Sequence, residues 1–275
     1  MRKRISEIYF LRFDRILMRN ILRIGICLIF GLVISCSSRD EEQENILVVP
    51  RTITSKSPSG ESSSEYHYID GNKLTRVVSS NRTKVESFYT SKFITKTISY
   101  NELGEISATN NYEYANNKLS RVNTNIGILN YNIYYTWIDS NHVSIEDDKT
   151  RSVGSIDKTE VYLSNGNVVK TTRHLHIPNY YTIDEVNIVE NDTKNNPYKN
   201  VEGFSLVSFD ITSDLFYQSN NITKITTTRT GSVNGEPLSE TYFRIFDYSF
   251  NNQMFPVNYT VKSSFGNSYT YEFTY

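Results

Sequence analysis

The chain has 275 residues, with 29 Lys and Arg against 30 Asp and Glu, 21 Tyr and 14 Phe, but only 2 Cys and 1 Trp. A balance this close to neutral supplies no basic footprint, so no nucleic-acid partner is expected. Two cysteines, one inside an apolar N-terminal run, give no disulfide framework, and stability has to come from burial.

Ile21 to Ile34 is almost entirely apolar and is led by Arg19 and Arg23. The run is shorter than the ~20 residues of a membrane-spanning helix, which marks residues 1–35 as an N-terminal signal-peptide helix. A compact signal peptide begins at Met18, so translation is expected to start there rather than at Met1. Val33-Ile34-Ser35-Cys36 resembles a bacterial lipobox, and the resemblance implies lipidation of Cys36 and a membrane partner through that lipid. The acidic stretch after it, Ser37-Ser-Arg-Asp-Glu-Glu-Gln43, resembles the export signal of surface lipoproteins in Bacteroidetes-type bacteria. Together these imply an uncharacterised Bacteroidetes-type lipoprotein of the bacterial outer membrane, exposed at the surface. Loss of the first 35 residues removes 7 of 29 cations and 2 of 30 acids, leaving 22 against 28. That balance argues against an anionic membrane face as ligand.

Residues 36–64 are rich in Ser, Glu and Lys, with Pro58 and Gly60, the composition of a lipid-anchored flexible linker. Ile46-Leu-Val-Val49 is the exception, an edge-strand pattern that Pro50 ends.

The remainder, residues 65–275, reads as strands rich in Thr, Tyr, Val, Ile and Phe. Asp70-Gly71, Leu103-Gly104, Asn116-Asn117, Asn165-Gly166 and Asn234-Gly235 are the hairpin turn signals. Tyr66-His-Tyr-Ile-Asp-Gly-Asn-Lys-Leu-Thr-Arg-Val77 is rewritten as Tyr112-Glu-Tyr-Ala-Asn-Asn-Lys-Leu-Ser-Arg-Val122. Looser copies occur at Lys92–Thr97, Gly166–Thr171 and Asn220–Ile225, with a fragment lacking the cation at Asn141–Ile145. Aligned on the apolar residue, the marks are Leu74, Ile94, Leu119, Val143, Val168 and Ile222. All but the last gap are roughly 20–25 residues, the length of a hairpin with its connection.

These units resemble the YD repeats of RHS-type proteins, a Tyr-Asp pair, a Gly/Asn turn and an apolar-polar-cation strand. Here the pair is interrupted as Tyr68-Ile69-Asp70 and becomes Tyr114-Ala115-Asn116 in the next copy. The resemblance implies the hairpin unit, not the long cocoon that RHS arrays build. The expected fold is therefore all-β: an antiparallel meander of repeated β-hairpins forming a wide twisted sheet. In plain alternation Leu74 and Arg76 share one face, and Thr75 and Val77 the other. Either both faces are mixed, or a bulge after the turn restores alternation. Between Val168 and Ile222 the pattern weakens around Asp192-Thr-Lys-Asn-Asn-Pro197, read as a long loop covering part of the sheet.

Chemistry-bearing constellations are few. His174 and His176 share a strand face at a spacing a zinc site uses, with Asp184 or Glu185 as candidate third ligands. The alternative is a pair of exposed strand histidines. Glu146-Asp147-Asp148 offers hard oxygens but lacks the alternating pattern of a calcium loop. Nucleophile and phosphate-loop motifs are absent, so no catalytic residue and no cofactor are assigned. Tyr135 and Trp137 share a strand face with Tyr131 and Ile133 and form a candidate platform for a sugar ring or protein partner, against the plainer reading of Trp137 as core. The functional expectation is a lipid-anchored binding or scaffold module for a glycan or protein. The alternative is a glycan-directed hydrolase with a carboxylate pair that spacing alone does not reveal.

Overall fold

The computed structural model describes residues 47–148, 154–207 and 218–275. The signal-peptide helix, the start at Met18 and the lipidation of Cys36 fall outside these residues. In chain order the strands are β1 (Thr52–Ser57), β2 (Gly60–Ile69), β3 (Lys73–Ser79), β4 (Lys84–Thr90), β5 (Phe93–Tyr100) and β6 (Ile106–Ala115). They continue as β7 (Lys118–Ile126), β8 (Leu129–Trp137), β9 (His142–Asp147), β10 (Ile156–Ser164) and β11 (Asn167–Ile177). The last five are β12 (Tyr181–Asn195), β13 (Asn220–Val233), β14 (Glu236–Phe250), β15 (Pro256–Ser263) and β16 (Ser268–Thr274).

The chain is all-β and antiparallel, but the open twisted sheet is corrected to a closed barrel of 16 strands. Each strand pairs with its sequence neighbours, and β1 also pairs with β16, from Thr52 opposite Thr274 to Lys56 opposite Thr270. The segment that closes it is Ser-rich and has the composition of a linker. Residues 52–57 and 60–64 nevertheless alternate as strand, with Ser55 and Ile53 opposite Ser62 and Ser64. β1 and the first half of β2 thus lie within the stretch read as linker. Without them β16 and the remainder of β2 would each present an unpaired edge.

A bulge sets the register of most hairpins. Tyr68 opposes Leu74 and His67 opposes Arg76, so Thr75 has no partner. The same offset leaves Thr95, Ser120, Val169, Thr223 and Val257 unpaired in five later hairpins. In four hairpins the bulged hydroxyl donates to the carbonyl across it: Thr75 to His67 (3.1 Å), Thr95 to Phe88 (3.3 Å), Ser120 to Glu113 (3.0 Å) and Thr223 to Glu190 (3.2 Å). The extra residue restores alternation, placing Leu74 and Val77 on one face and Arg76 on the other. The β8–β9 hairpin, whose copy lacks the cation, pairs Trp137 with Val143 and Thr136 with Ser144 without an offset.

The register marks fall at equivalent places. Leu74, Ile94, Leu119, Val143 and Val168 are each the second residue of an odd-numbered strand, Ile222 is the third of β13, and all are buried, as is Ile53, which takes the same place on β1 without being one of the marks. The outer wall of a lone barrel cannot be hidden from water, so these residues mark the inner face at one end, here the floor. Near the floor the ladders between hairpins stop short, β3 and β4 pairing only from Arg76–Val78 to Lys84–Glu86. Side chains bridge such gaps. Tyr114 Oη donates to Ile94 O (2.7 Å), Trp137 Nε1 to Leu119 O (3.0 Å) and Asn191 Nδ2 to Val168 O (3.1 Å). At the seam Tyr68 Oη donates to Pro50 O (2.8 Å), and Tyr275 Oη to Pro256 O (2.7 Å). The second Tyr of the repeat is therefore a lateral clasp between hairpins.

The floor is filled by the connection after β12. Tyr198 and Val201 are buried, Tyr198 stacks on Phe204 at 4.8 Å, and its hydroxyl lies 3.2 Å from that of Tyr66. Tyr89 Oη donates to Glu202 O (3.1 Å), Asn72 Nδ2 to Asn200 O (3.1 Å) and Asn200 Nδ2 to Val48 O (2.9 Å). Gly203 has φ +74°, and a Cβ there would sit 2.6 Å from Lys92 O, so the connection lies hard against the β4–β5 turn. Val48 and Val49 are buried but form no strand, which corrects the edge-strand expectation for residues 46–49.

Candidate functional site

Inner-face positions change character from floor to mouth, most clearly on β10 to β14. Val168, Val189 and Ile222 form the apolar floor layer and are buried. Above them Asn187 Nδ2 donates to Thr171 Oγ1 (3.1 Å), and Thr227 Oγ1 donates to Asn187 Oδ1 (2.6 Å). The next inward positions are charged. Arg173 makes a two-point pair with Asp157, Nε to Oδ1 at 2.7 Å and Nη2 to Oδ2 at 2.6 Å. Arg229 Nε donates to Glu185 Oε2 (2.6 Å), and its Nη1 lies 3.5 Å from Glu240 Oε1. Asn187 Nδ2 also donates to Glu185 Oε1 (2.9 Å), tying this belt to the layer below. The guanidinium of Arg229 lies 5.2 Å from the Tyr242 ring centroid.

Alternation puts these groups on one surface. Cross-strand partners share a face, and Arg173 opposes Glu185, which opposes Arg229, which opposes Glu240. Above the belt, Leu175, Ile183 and Leu238 line the mouth with Gly231 between them, and Arg173, Leu175, Tyr181, Ile183, Glu185 and Arg229 surround a cavity of 210 Å³. The belt is reached from the lumen: the side chains of Arg173 and Arg229 are 39 % exposed, whereas Glu185 is 15 % exposed. Hydrogen bonding to Asp157 holds the Arg173 guanidinium above its ordinary value, against the opposing pull of burial. Burial works to lower the Arg229 value but is outweighed by its bond to Glu185. Burial raises the Tyr242 phenol, so its hydroxyl stays protonated.

The residues singled out from sequence are dispersed. Tyr135 and Trp137 are on the inner face low on β8, packed against the core, and Lys118 Nζ lies 4.0 Å from the Trp137 ring centroid. His174 and His176 point outward, where His174 Nδ1 is 2.7 Å from Asp184 Oδ1 and His176 Nδ1 is 2.8 Å from Thr182 Oγ1. Glu185 faces the lumen instead, and among the described residues no three His, Cys, Asp or Glu come together as a metal site. Asp148 accepts from the backbone and side-chain nitrogens of Asn132, at 2.7 and 2.8 Å. The belt itself was not singled out, although a signal is present: Thr171-Thr-Arg173 and Thr227-Thr-Arg229 are the same tripeptide on two strands.

The outer face carries cations paired with carboxylates, Arg121 and Lys224 of the repeat among them. Lys56–Glu272 (2.7 Å), Lys84–Glu86 (2.9 Å), Lys158–Glu160 (2.7 Å), Lys224–Glu190 (3.2 Å) and Lys262–Asp247 (2.6 Å) are outward ion pairs, as is Arg121 with Glu113. An outward hollow of 640 Å³ lies where β3 and β4 splay apart, and its Glu86 is already bonded to Lys84 and Tyr100.

No protein family and no curated protein matches the chain. Among solved structures it is similar to a porin-like protein from Bacteroides uniformis, at 8% identity over 82% of this chain and 96% of that one, with a TM-score of 0.48. The likeness to YD repeats therefore rests on the hairpin motif alone.

Proposed function

We propose that this protein is a lipid-anchored binding cup of the bacterial envelope rather than a pore. The observation that carries the reading is the polarity of the wall. A lipid-facing barrel has an apolar outer band, and a Lys or Arg at the bilayer midplane costs about 2–4 kcal/mol. This barrel bears Lys–Glu pairs on its outer face, where they interrupt the exposed Phe88, Ile188, Phe243 and Ile245, and Val, Ile and Tyr line its core. Its floor is filled by Tyr198 and Val201, while inner-face residues toward the other end, such as Ile126 and Leu129, are 43% and 46% exposed. A closed floor and an accessible mouth suit retention of a ligand, not passage through. The lipobox at Cys36 supports anchoring, and the chain enters the barrel at the floor through Val48 and Val49. Tyr135 and Trp137 belong to this same inner surface. Hydrolysis is the weaker reading, because Asp157 and Glu185 in the belt have their oxygens occupied by guanidinium or amide donors.

Two measurements test the proposal. The full chain, added to planar lipid bilayers, is expected to produce no conductance steps. Cys36→Ser protein is expected either to be processed and released without detergent, or to stay uncleaved and held by its signal peptide. Conductance steps, or processed Cys36→Ser protein that fractionates with the membrane like wild type, would overturn it.

A further inference from the structure

We infer that the guanidinium–carboxylate belt of β10 to β14 is a subsite for a neutral, hydroxyl-rich ligand, a saccharide. The inference rests on the cup reading and names what the cup holds. As a stabilising device the belt is poorly explained, since partly exposed ion pairs contribute little. As a recognition surface its parts have uses. Arg173 Nη1 and Arg229 Nη2 have no acceptor among the described residues, although Nε and one Nη of each are fixed by carboxylates. Glu240 uses only Oε1, at 3.5 Å, which leaves Oε2 to accept. Oriented donors thus stand beside an oriented acceptor.

Charge selects among ligands. The belt has Asp157, Glu185 and Glu240 against Arg173 and Arg229. Both guanidiniums are bonded to carboxylates, which leaves no excess of positive charge in the belt to attract an anion. A hydroxyl both donates and accepts, so adjacent sugar hydroxyls can bond a guanidinium and a carboxylate at once. The walls supply the apolar share that a sugar ring requires: Tyr181, Leu175 and Ile183 around the cavity, and Tyr242 held under Arg229. Gly231 lets the β12 backbone pass close beside Ile183, because a Cβ there would meet Thr182 O at 2.0 Å.

The test is calorimetric titration of the full chain in mild detergent. The probes are neutral hexasaccharides of glucose, mannose and xylose, with a sulfated chondroitin hexasaccharide and decanoate as charged comparators. At least one neutral probe is expected to bind, and the charged probes to bind at least tenfold more weakly. Arg229→Gln and Glu185→Gln should each weaken the neutral probe tenfold or more, while the outward Lys262→Gln leaves it unchanged. Circular dichroism melts confirm folding, and Glu240→Gln, at a more exposed position, provides a variant less demanding on the fold. Binding of the charged probes alone, no binding of any neutral probe, or full binding by folded Arg229→Gln would each overturn the subsite. Conductance in bilayers would instead sink the cup reading, so the two failures are told apart.

Discussion

Tyr114 shows what a single side chain does in this wall. Its hydroxyl reaches Ile94 O across a gap that the backbone ladder leaves open. Tyr114→Phe removes the donor and strands a carbonyl, with an expected loss of about 1–3 kcal/mol in chemical denaturation. A change below about half a kcal/mol would mean that water replaces the clasp. The clasps also predict an alkaline limit. Burial pushes Tyr89 up to about 12, and burial raises Tyr68, Tyr114 and Tyr275 as well. Each folded value exceeds the unfolded value of about 10, so the fold holds these protons more tightly. Their stabilisation is complete below that pH and is lost as pH rises through the folded values. Tyrosinate absorbance of the buried set should therefore appear together with loss of circular dichroism. Titration of every tyrosine near pH ~10 with the β signal intact would refute it. Leu119, 1% exposed at the floor, should cost about 2–5 kcal/mol when truncated to Ala.

At the scale of the hairpin, much was legible and one step was not. The turns and the register marks could be read because each depends on residues adjacent in sequence, as Asn116 and Asn117 with φ of 52° and 60° illustrate. The inner face could not be read, because plain alternation puts Leu74 with Arg76 and only the bulge at Thr75 separates them. Ser and Thr at the bulge were in view, but their hydroxyl bonds need the partner strand. For the same reason the belt was hidden. Arg173 finds Asp157 at a separation of 16 residues and Arg229 finds Glu185 at 44, pairings that only the barrel register creates. The bulge can be tested directly. Deleting Ser120 should leave Leu119 inward and Arg121 outward in plain alternation opposite Tyr114 and Glu113, so the loss should stay within about 0.5–1.5 kcal/mol, the scale of the bulge's own hydrogen bond. Ser120→Ala, which loses only the bond to Glu113 O, should cost about 0.5–1.5 kcal/mol. A loss of about 3 kcal/mol or more on deletion would show that Arg121 does not keep its outward place and that the bulge is more than one extra residue in the ladder.

Closure is the property of the whole molecule that sequence composition concealed. A meander of hairpins reads the same whether its ends meet or not, and the strand that joins them, Thr52–Ser57, has the Ser and Lys content of a tether. Its pairing is unambiguous in space: Ile53 lies between Phe273 on β16 and Ser64 on β2, and Lys56 reaches Glu272 at 2.7 Å. A chain starting at Glu65 would lose β1 and half of β2, and Tyr68 would lose its acceptor at Pro50. Two sheet edges would then face water, and such edges recruit other chains. Ile53 and Phe273 are buried against the same core, so an open sheet would also expose apolar floor. The shortened chain is therefore expected to elute as oligomers or aggregate, whereas a chain starting at Ile46 elutes as a monomer with a cooperative melt. Size-exclusion chromatography with light scattering decides the matter. A monomeric, cooperatively melting chain from Glu65 onward would mean that the hairpins stand as an open sheet and that β1 is an accessory to the fold rather than its closing strand.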